Sequence, residues 1–299
     1  MTRNPKRRGG GSRSPDARPA AKAPGARARA TPPEAERDKP SRPRPPGRRD
    51  GRADVVRIYG FHSVLAALRA PRRELVRLYA TAAAAERLAP EIAARGVETR
   101  VVEAEAIAER APRDAAHQGV LLEARPLASI DLSELPADGL VVALDQITDP
   151  HNVGAIVRAC AAFAVDALVT TERHSPQLGG ALAKSASGGL EHVPICVVPN
   201  LARALDELGD LGYWRVGLDS AAPQTFAEAR LARPLALVLG AEDKGLRRLT
   251  RERCDVMARL ELPGAIKSLN VSNACAVALA IFCGRTAPPV GEAADKREQ

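Results

Sequence analysis

The sequence predicts an α/β protein in which a mostly parallel sheet is covered by helices and preceded by a smaller α/β layer. Three observations carry this. From Leu140 onward, short runs rich in Val and Leu lack polar alternation, the pattern of strands buried on both faces. Segments of helical length separate those runs. Gly, Pro, Asn and Asp gather at the junctions, where turns and caps need them. At 299 residues, 45% of them hydrophobic, the chain can build a sizeable core, but aromatics are only 3%, so aliphatic side chains do nearly all the packing.

The first 53 residues stand apart. They hold 16 Lys and Arg against 5 Asp and Glu, ten prolines, six glycines, and no Val, Ile, Leu or aromatic residue. Such a segment cannot bury enough apolar surface to offset the entropy of ordering it, so it reads as a disordered basic tail. It either solubilises the protein or acts as a polycationic arm that neutralises RNA phosphates, spanning roughly 40 Å as a flexible chain. Five acids and ten prolines argue against an amphipathic mitochondrial presequence. The remaining residues carry 28 basic and 31 acidic side chains, a balance of −3, so the formal charge of +8 belongs to the tail.

Composition also excludes functions. No apolar run approaches the ~18–20 residues of a membrane helix, and the N-terminus lacks the apolar core of a secretory signal. Cys160, Cys196, Cys254, Cys275 and Cys283 form no CxxC pair, and the five histidines lack ligand spacing. A reduced, cytoplasmic protein without zinc is expected.

Residues 54–124 read as the small layer. Arg57 to Tyr59 is a strand, Gly60 a turn, and Phe61 to Leu68 a helix. Leu75 to Ala80 is a strand, Ala82 to Arg95 a helix, Val97 to Val102 a strand and Ala104 to Arg110 a helix, and His117-Gln118-Gly119 turns into the strand from Val120. His62 and His117 sit at turns, where a histidine serves as a structural hydrogen-bonder or an RNA contact. Residues 125–138 form a linker. Residues 139–286 contain strands at Leu140–Leu144, Ala167–Thr170, Val193–Val198, Trp214–Leu218, Leu235–Leu239 and Ala258–Leu262, and 287–299 are a C-terminal tail.

In parallel sheets ligands bind beyond the carboxyl ends of strands, which directs attention to the loops after Leu144, Leu239 and Leu262. The first, Asp145 to Arg158, opens a helix that Asn152 is expected to cap. Arg158 lies well inside that helix among apolar residues, so it needs an acceptor, either an ion-pair partner or a substrate phosphate. The second, Gly240-Ala241-Glu242-Asp243-Lys244-Gly245, sets a carboxylate between two glycines that allow close backbone approach. The third, Pro263 to Asn273, ends a strand and carries Ser268, Asn270, Ser272 and Asn273 into an Ala-rich helix. That pattern suits a capped helix or a ligand-binding loop. No GxGxxG, GxxxxGK[ST] or GxSxG motif is present, which disfavours ordinary dinucleotide, P-loop and serine-hydrolase chemistry.

Taken in order, Asn152-x-Gly154-x-x-x-Arg158, Gly240-x-Glu242-x-x-Gly245-Leu246, and Leu262-Pro263 with Ser268-Leu269-Asn270-Val271-Ser272 resemble the SpoU (TrmH-like) branch of the SPOUT methyltransferases. The run Lys184 to Pro194 is similar to the family's middle segment. Gly60 to Val64 and His117 to Val120 resemble the RNA-binding domain of its ribosomal RNA members. The resemblance, over about residues 55–285, implies a trefoil-knotted sheet and a homodimer with its site near the subunit interface. It implies 2′-O-ribose methylation of RNA, with a guanosine of 23S ribosomal RNA the leading substrate. A tRNA-directed enzyme and a non-catalytic ribosome-assembly factor are the alternatives. S-adenosylmethionine is the implied cofactor, held at Gly240, Leu262 and Leu269, and Asn152, Arg158, Glu242, Ser268 and Asn270 match the catalytic set. Asn273 departs from the apolar residue common in the family.

Overall fold

The computed structural model describes residues 55–286 except Asp114 and His174. The basic tail and the last 13 residues lie outside the described residues, so the expectations placed on them are not examined by the fold.

The first layer runs β1 (Val56–Tyr59), α1 (Phe61–Arg69), β2 (Leu75–Ala80), α2 (Ala82–Arg87), α3 (Ala89–Arg95), β3 (Thr99–Val101), α4 (Ala104–Ala108) and β4 (Val120–Ala124). Its sheet has the order β1-β4-β2-β3, with β4 antiparallel to both neighbours and β2 parallel to β3. The continuous helix expected over Ala82–Arg95 is instead two, broken at Leu88. Pro90 explains the break, because it has no N–H to donate to the preceding turn.

The second layer comprises β5 (Leu140–Asp145), α5 (Pro150–Ala162), β6 (Ala167–Thr171), α6 (Gly180–Ala186), β7 (Ile195–Val198), α7 (Leu201–Asp210), β8 (Trp214–Leu218), β9 (Gln224–Thr225), β10 (Leu235–Gly240), α8 (Arg248–Glu252), β11 (Val256–Arg259) and α9 (Val271–Thr286). Its seven strands lie in the order β7-β6-β5-β10-β8-β11-β9, and every pairing is parallel. Both faces are covered, as the unalternating sequence implies. Leu140, Val142 and Leu144 of β5 pack with Ile156 of α5 and Leu279 of α9, whereas Val141 and Ala143 pack with Leu205 and Leu208 of α7.

Two strand boundaries move. The strand expected at Val193–Val198 starts at Ile195, because Pro194 supplies no ladder donor. The strand expected at Ala258–Leu262 is β11, Val256–Arg259. It pairs only as far as Ala258 with β8 and Arg259 with β9, and Leu260 to Asn270 run on as loop. The linker carries a short 3-10 turn (Leu132–Glu134) closed by Asp131, and Ile130 and Ser129 hydrogen-bond the edge of β7.

The two layers share one hydrophobic core in which Ile58, Leu68 and Leu122 join the cluster of Leu140 and Ile156. Polar locks reinforce it. Ser63 Oγ donates to the Ala183 carbonyl at 2.9 Å. The buried Arg73 guanidinium donates to both Glu191 oxygens and to the Arg125 carbonyl. Gly188, at φ 94°, lets α1 approach, since a Cβ there meets Ala66 Cβ at 2.6 Å.

Candidate functional site

Register decides which loops meet. Gly240 at the end of β10 lies opposite Asp145 at the end of β5, so the loops that follow these two strands emerge side by side. After β5 the backbone turns through Gln146 at φ 59° and enters α5. Its cap is Asp149, not the expected Asn152: the Asp149 carboxylate accepts from the His151 and Asn152 N–H groups at 3.1 and 3.3 Å, with Pro150 in the first turn. Asn152, relieved of capping, points its amide away from the helix.

That amide meets the other two loops. Asn152 Nδ2 donates to Glu242 Oε1 at 2.9 Å, and Asn270 Nδ2 donates to the same oxygen at 2.6 Å and to Asn152 Oδ1 at 2.9 Å. The Val271 N–H, at 3.4 Å, also points to Glu242 Oε1. Asn270 Oδ1 is occupied by the Ser272 N–H and hydroxyl at 2.9 and 2.6 Å, which begins α9. The triad's side chains are therefore oriented by one another, and Glu242 Oε2 has no partner among the described residues. Hydrogen bonds to a charged carboxylate are the strong kind.

The Glu242 loop is tied at both ends. Gly245 (φ 62°) turns it back so that its N–H donates to Ala241 at 2.8 Å. At Gly240 the strand and the returning loop touch: a Cβ would sit 2.3 Å from Gly245 C and 2.4 Å from Leu246 N. Downstream, Arg247 donates its N–H and Nε to the fully buried Asp145 carboxylate at 2.8 and 2.6 Å.

Beside the triad is a cavity of about 360 Å³ whose walls include Leu218, Leu239, Gly240, Leu262, Ser268 and Leu269. Lys267 Nζ donates to the Leu262 carbonyl at 2.8 Å, holding the loop after β11 across it. Asp219 and Arg251, ion-paired to each other, also line it. A larger groove of about 850 Å³ between the layers, lined by Arg57, Arg110 and Pro150, contains none of the motif residues.

Of the expected residues, Asn152, Glu242 and Asn270 bond directly, while Gly240, Leu262, Ser268 and Leu269 share the cavity wall with Glu242. Arg158 stands apart. The expectation that it is enclosed among apolar side chains is overturned: the six-residue offset from Asn152 turns it onto another face of α5, roughly 9 Å farther along. There it is exposed and has no ion pair or hydrogen bond among the described residues. Asp145 is the site-supporting residue that sequence reasoning gave no role. Its signal is a lone carboxylate ending an otherwise apolar strand.

Covalent chemistry has little support here. Burial pushes the Cys196 thiol up to about 11 and Cys254 to about 12, so both stay protonated and unreactive. Ser268 hydrogen-bonds no imidazole or carboxylate among the described residues. The arrangement instead orients groups around a cavity.

Comparison with known proteins agrees with this geometry. Residues 139–280 match the SpoU rRNA Methylase family, and residues 57–129 match the family of RNA 2′-O ribose methyltransferase substrate-binding domains. The 23S rRNA (guanosine-2′-O-)-methyltransferase RlmB of Pectobacterium atrosepticum is 38% identical over 232 residues, covering 74% of this chain and 95% of that relative. Its namesake from Ralstonia nicotianae is 39% identical over 232 residues, covering 74% and 92%. In fold, the chain resembles the SpoU methyltransferase AviRb from Streptomyces viridochromogenes, solved with AdoMet. The TM-score is 0.68 at 21% identity, covering 79% of this chain and 91% of that one. With the family's model matched over residues 139–280 and a 38% identical relative aligned over 95% of its length, this chain belongs to the SpoU rRNA methylase family.

Proposed function

We propose that this protein transfers a methyl group from S-adenosylmethionine to the ribose 2′-hydroxyl of a guanosine in 23S ribosomal RNA. The observation that carries the reading is the Asn152–Glu242–Asn270 triad at the mouth of a cavity walled by Gly240, Leu262, Ser268 and Leu269.

The cavity fits the cofactor. Its volume lies in the range of small-molecule sites, and its walls combine Leu218, Leu239, Leu262 and Leu269 with polar groups such as Asp219 and Ser268, as an apolar-and-polar cofactor needs. When bound there, S-adenosylmethionine supplies a methyl group already activated by its sulfonium.

The protein's task is then placement. Aligning a hydroxyl with the reacting carbon can supply ~7–11 kcal/mol of barrier lowering. Glu242 locks the two asparagine amides, and the locked triad with Ser268 receives the ribose edge. Arg158 holds the adjoining phosphate, and the hydroxyl proton passes to solvent water as the oxygen takes the methyl group. Because Arg158 faces solvent away from the triad of its own chain, a second copy completes the site, and we assign the protein as a homodimer. The exposed face of α9 (Asn273, Val277, Ala280, Gly284) supports this pairing, since it is small and uncharged.

In this reading residues 54–124 grip RNA, residues 125–138 join them to the catalytic residues 139–286, and the loop from Leu260 to Asn270 closes a trefoil knot. The Val271 N–H directed at Glu242 supports that closure. Five free cysteines support a reducing, cytoplasmic setting. Among the described residues no helix is long and apolar enough to cross a membrane.

Tritiated-methyl transfer from S-adenosylmethionine to purified 23S RNA and to bulk tRNA tests the reading. Label in a guanosine ribose of 23S RNA is the expected result. Label in tRNA alone moves the substrate, and no label in either leaves an RNA-binding protein.

A further inference from the structure

We infer that a single-stranded stretch of RNA flanking the target ribose is bound along a track from the reaction centre over α6 to a base-stacking platform made by Phe61 and Arg87. This deepens the function proposed above and rests on it.

Outside the basic tail the chain is net negative, so a polyanion needs locally unpaired cations. Lys184 and Arg87 are two such cations, each without a carboxylate partner among the described residues. A succession of contacts leads from the site towards them. His151, beside Asn152 of the triad, places Nδ1 at 3.1 Å from Ser185 Oγ on α6. The neighbouring Lys184 lays its aliphatic stem over Gly60, with Cγ 3.5 Å from where a Cβ would stand. Gly60, at φ 90°, opens α1, whose first residue donates its N–H to Gln118 Oε1 at 2.9 Å. The Phe61 ring in turn carries the Arg87 guanidinium 3.9 Å above its centre.

The chemistry of these groups suits an unpaired strand. A guanidinium held over an aromatic ring offers its other face to a base, and bases stack on such groups. With its carbonyl oxygen committed to the Phe61 N–H, the exposed Gln118 amide keeps two N–H donors for a base edge. Lys184, between platform and triad, meets the intervening phosphate. A duplex keeps its bases stacked inside and cannot use such a platform.

The test measures binding of the full chain to a 23S ribosomal RNA fragment and to a single-stranded oligoribonucleotide across a salt series, with S-adenosylmethionine affinity measured alongside. Lys184→Ala should weaken RNA binding about tenfold and flatten the salt dependence by about one charge, while Lys184→Arg retains it. Arg87→Ala should weaken binding of the single strand about tenfold. Both variants should bind S-adenosylmethionine like wild type. Unchanged RNA affinity and slope in both variants overturns the track, as does a parallel loss of S-adenosylmethionine binding. Methyl transfer by the wild type is read separately: RNA binding that depends on Lys184 and Arg87 without transfer removes the enzyme reading and leaves the track standing.

Discussion

One oxygen atom gathers the site: Glu242 Oε1 faces Asn152 Nδ2 near the start of α5, and Asn270 Nδ2 and the Val271 N–H at the start of α9. Arg158 illustrates the opposite case, a motif residue with no ion pair or hydrogen bond among the described residues. Its exposure sets up a clean prediction. Arg158→Ala should shift the melting temperature by no more than a degree or two, because surface changes cost about 0.5 kcal/mol or less. Turnover should fall by roughly 1000-fold, the scale of losing a charge-stabilising donor. S-adenosylmethionine affinity by calorimetry should stay near wild type, and an equal loss of binding and turnover would reassign Arg158 to structure.

At the scale of the element, the loop from Gly240 to Arg247 is shaped by contacts that allow no extra atom at its hinge. Gly240→Ala places a methyl 2.3 Å from Gly245 C and 2.4 Å from Leu246 N, both backbone, so the loop must move. The expected outcome is a loss of S-adenosylmethionine affinity of at least about 100-fold, with the circular dichroism of the sheet preserved. Affinity close to wild type would mean the loop does not wall the cofactor site. A second element-level test concerns the seam between β8 and β11. Asp255 accepts from the Arg215 N–H, Nε and Nη2 at 2.9, 2.8 and 2.5 Å, and the guanidinium holds its carboxyl below the usual carboxylate range. A depressed folded-state pKa gives stability that is present above the unfolded value of about 4 and lost as pH falls through the lower folded value. Asp255→Asn should therefore lower the melting temperature at neutral pH, and the gap from wild type should close in melts run near pH 2–3. A gap that persists in acid would assign the effect to packing.

For the whole molecule, the buried bridge between Arg73 and Glu191 matters most, with side-chain exposures of 0% and 4%. It joins the turn between α1 and β2 to the turn after α6, so the first layer is clamped to the second. Removing one member strands a buried charge, and Arg73→Ala should cost about 3–5 kcal/mol in denaturant unfolding. Replacing both members with apolar residues of similar volume should recover most of that loss. A cost below about 1 kcal/mol for the single change would show that the layers are held by the shared apolar core alone.

Much was legible before folding. The unalternating apolar runs fixed strand identity and two-sided burial, since Val142 and Val141 face opposite helical layers, and the ordered spacing around Asn152, Glu242 and Asn270 announced the site. Local signals failed where partners decide. β11 ends at Arg259 because its neighbours end there, although Leu260 and Leu262 extend a strand-like pattern. Asp149 displaced Asn152 as the helix cap, which freed the amide for the triad. Burial of Arg158 was misread because a run of apolar neighbours does not say which face of a helix meets solvent. Chain order alone thus indicated the mostly parallel sheet and the three loops that carry the motif residues. Only the tertiary structure decided how they combine, since parallel register brings Gly240 beside Asp145 and lets residues roughly a hundred positions apart share one carboxylate oxygen.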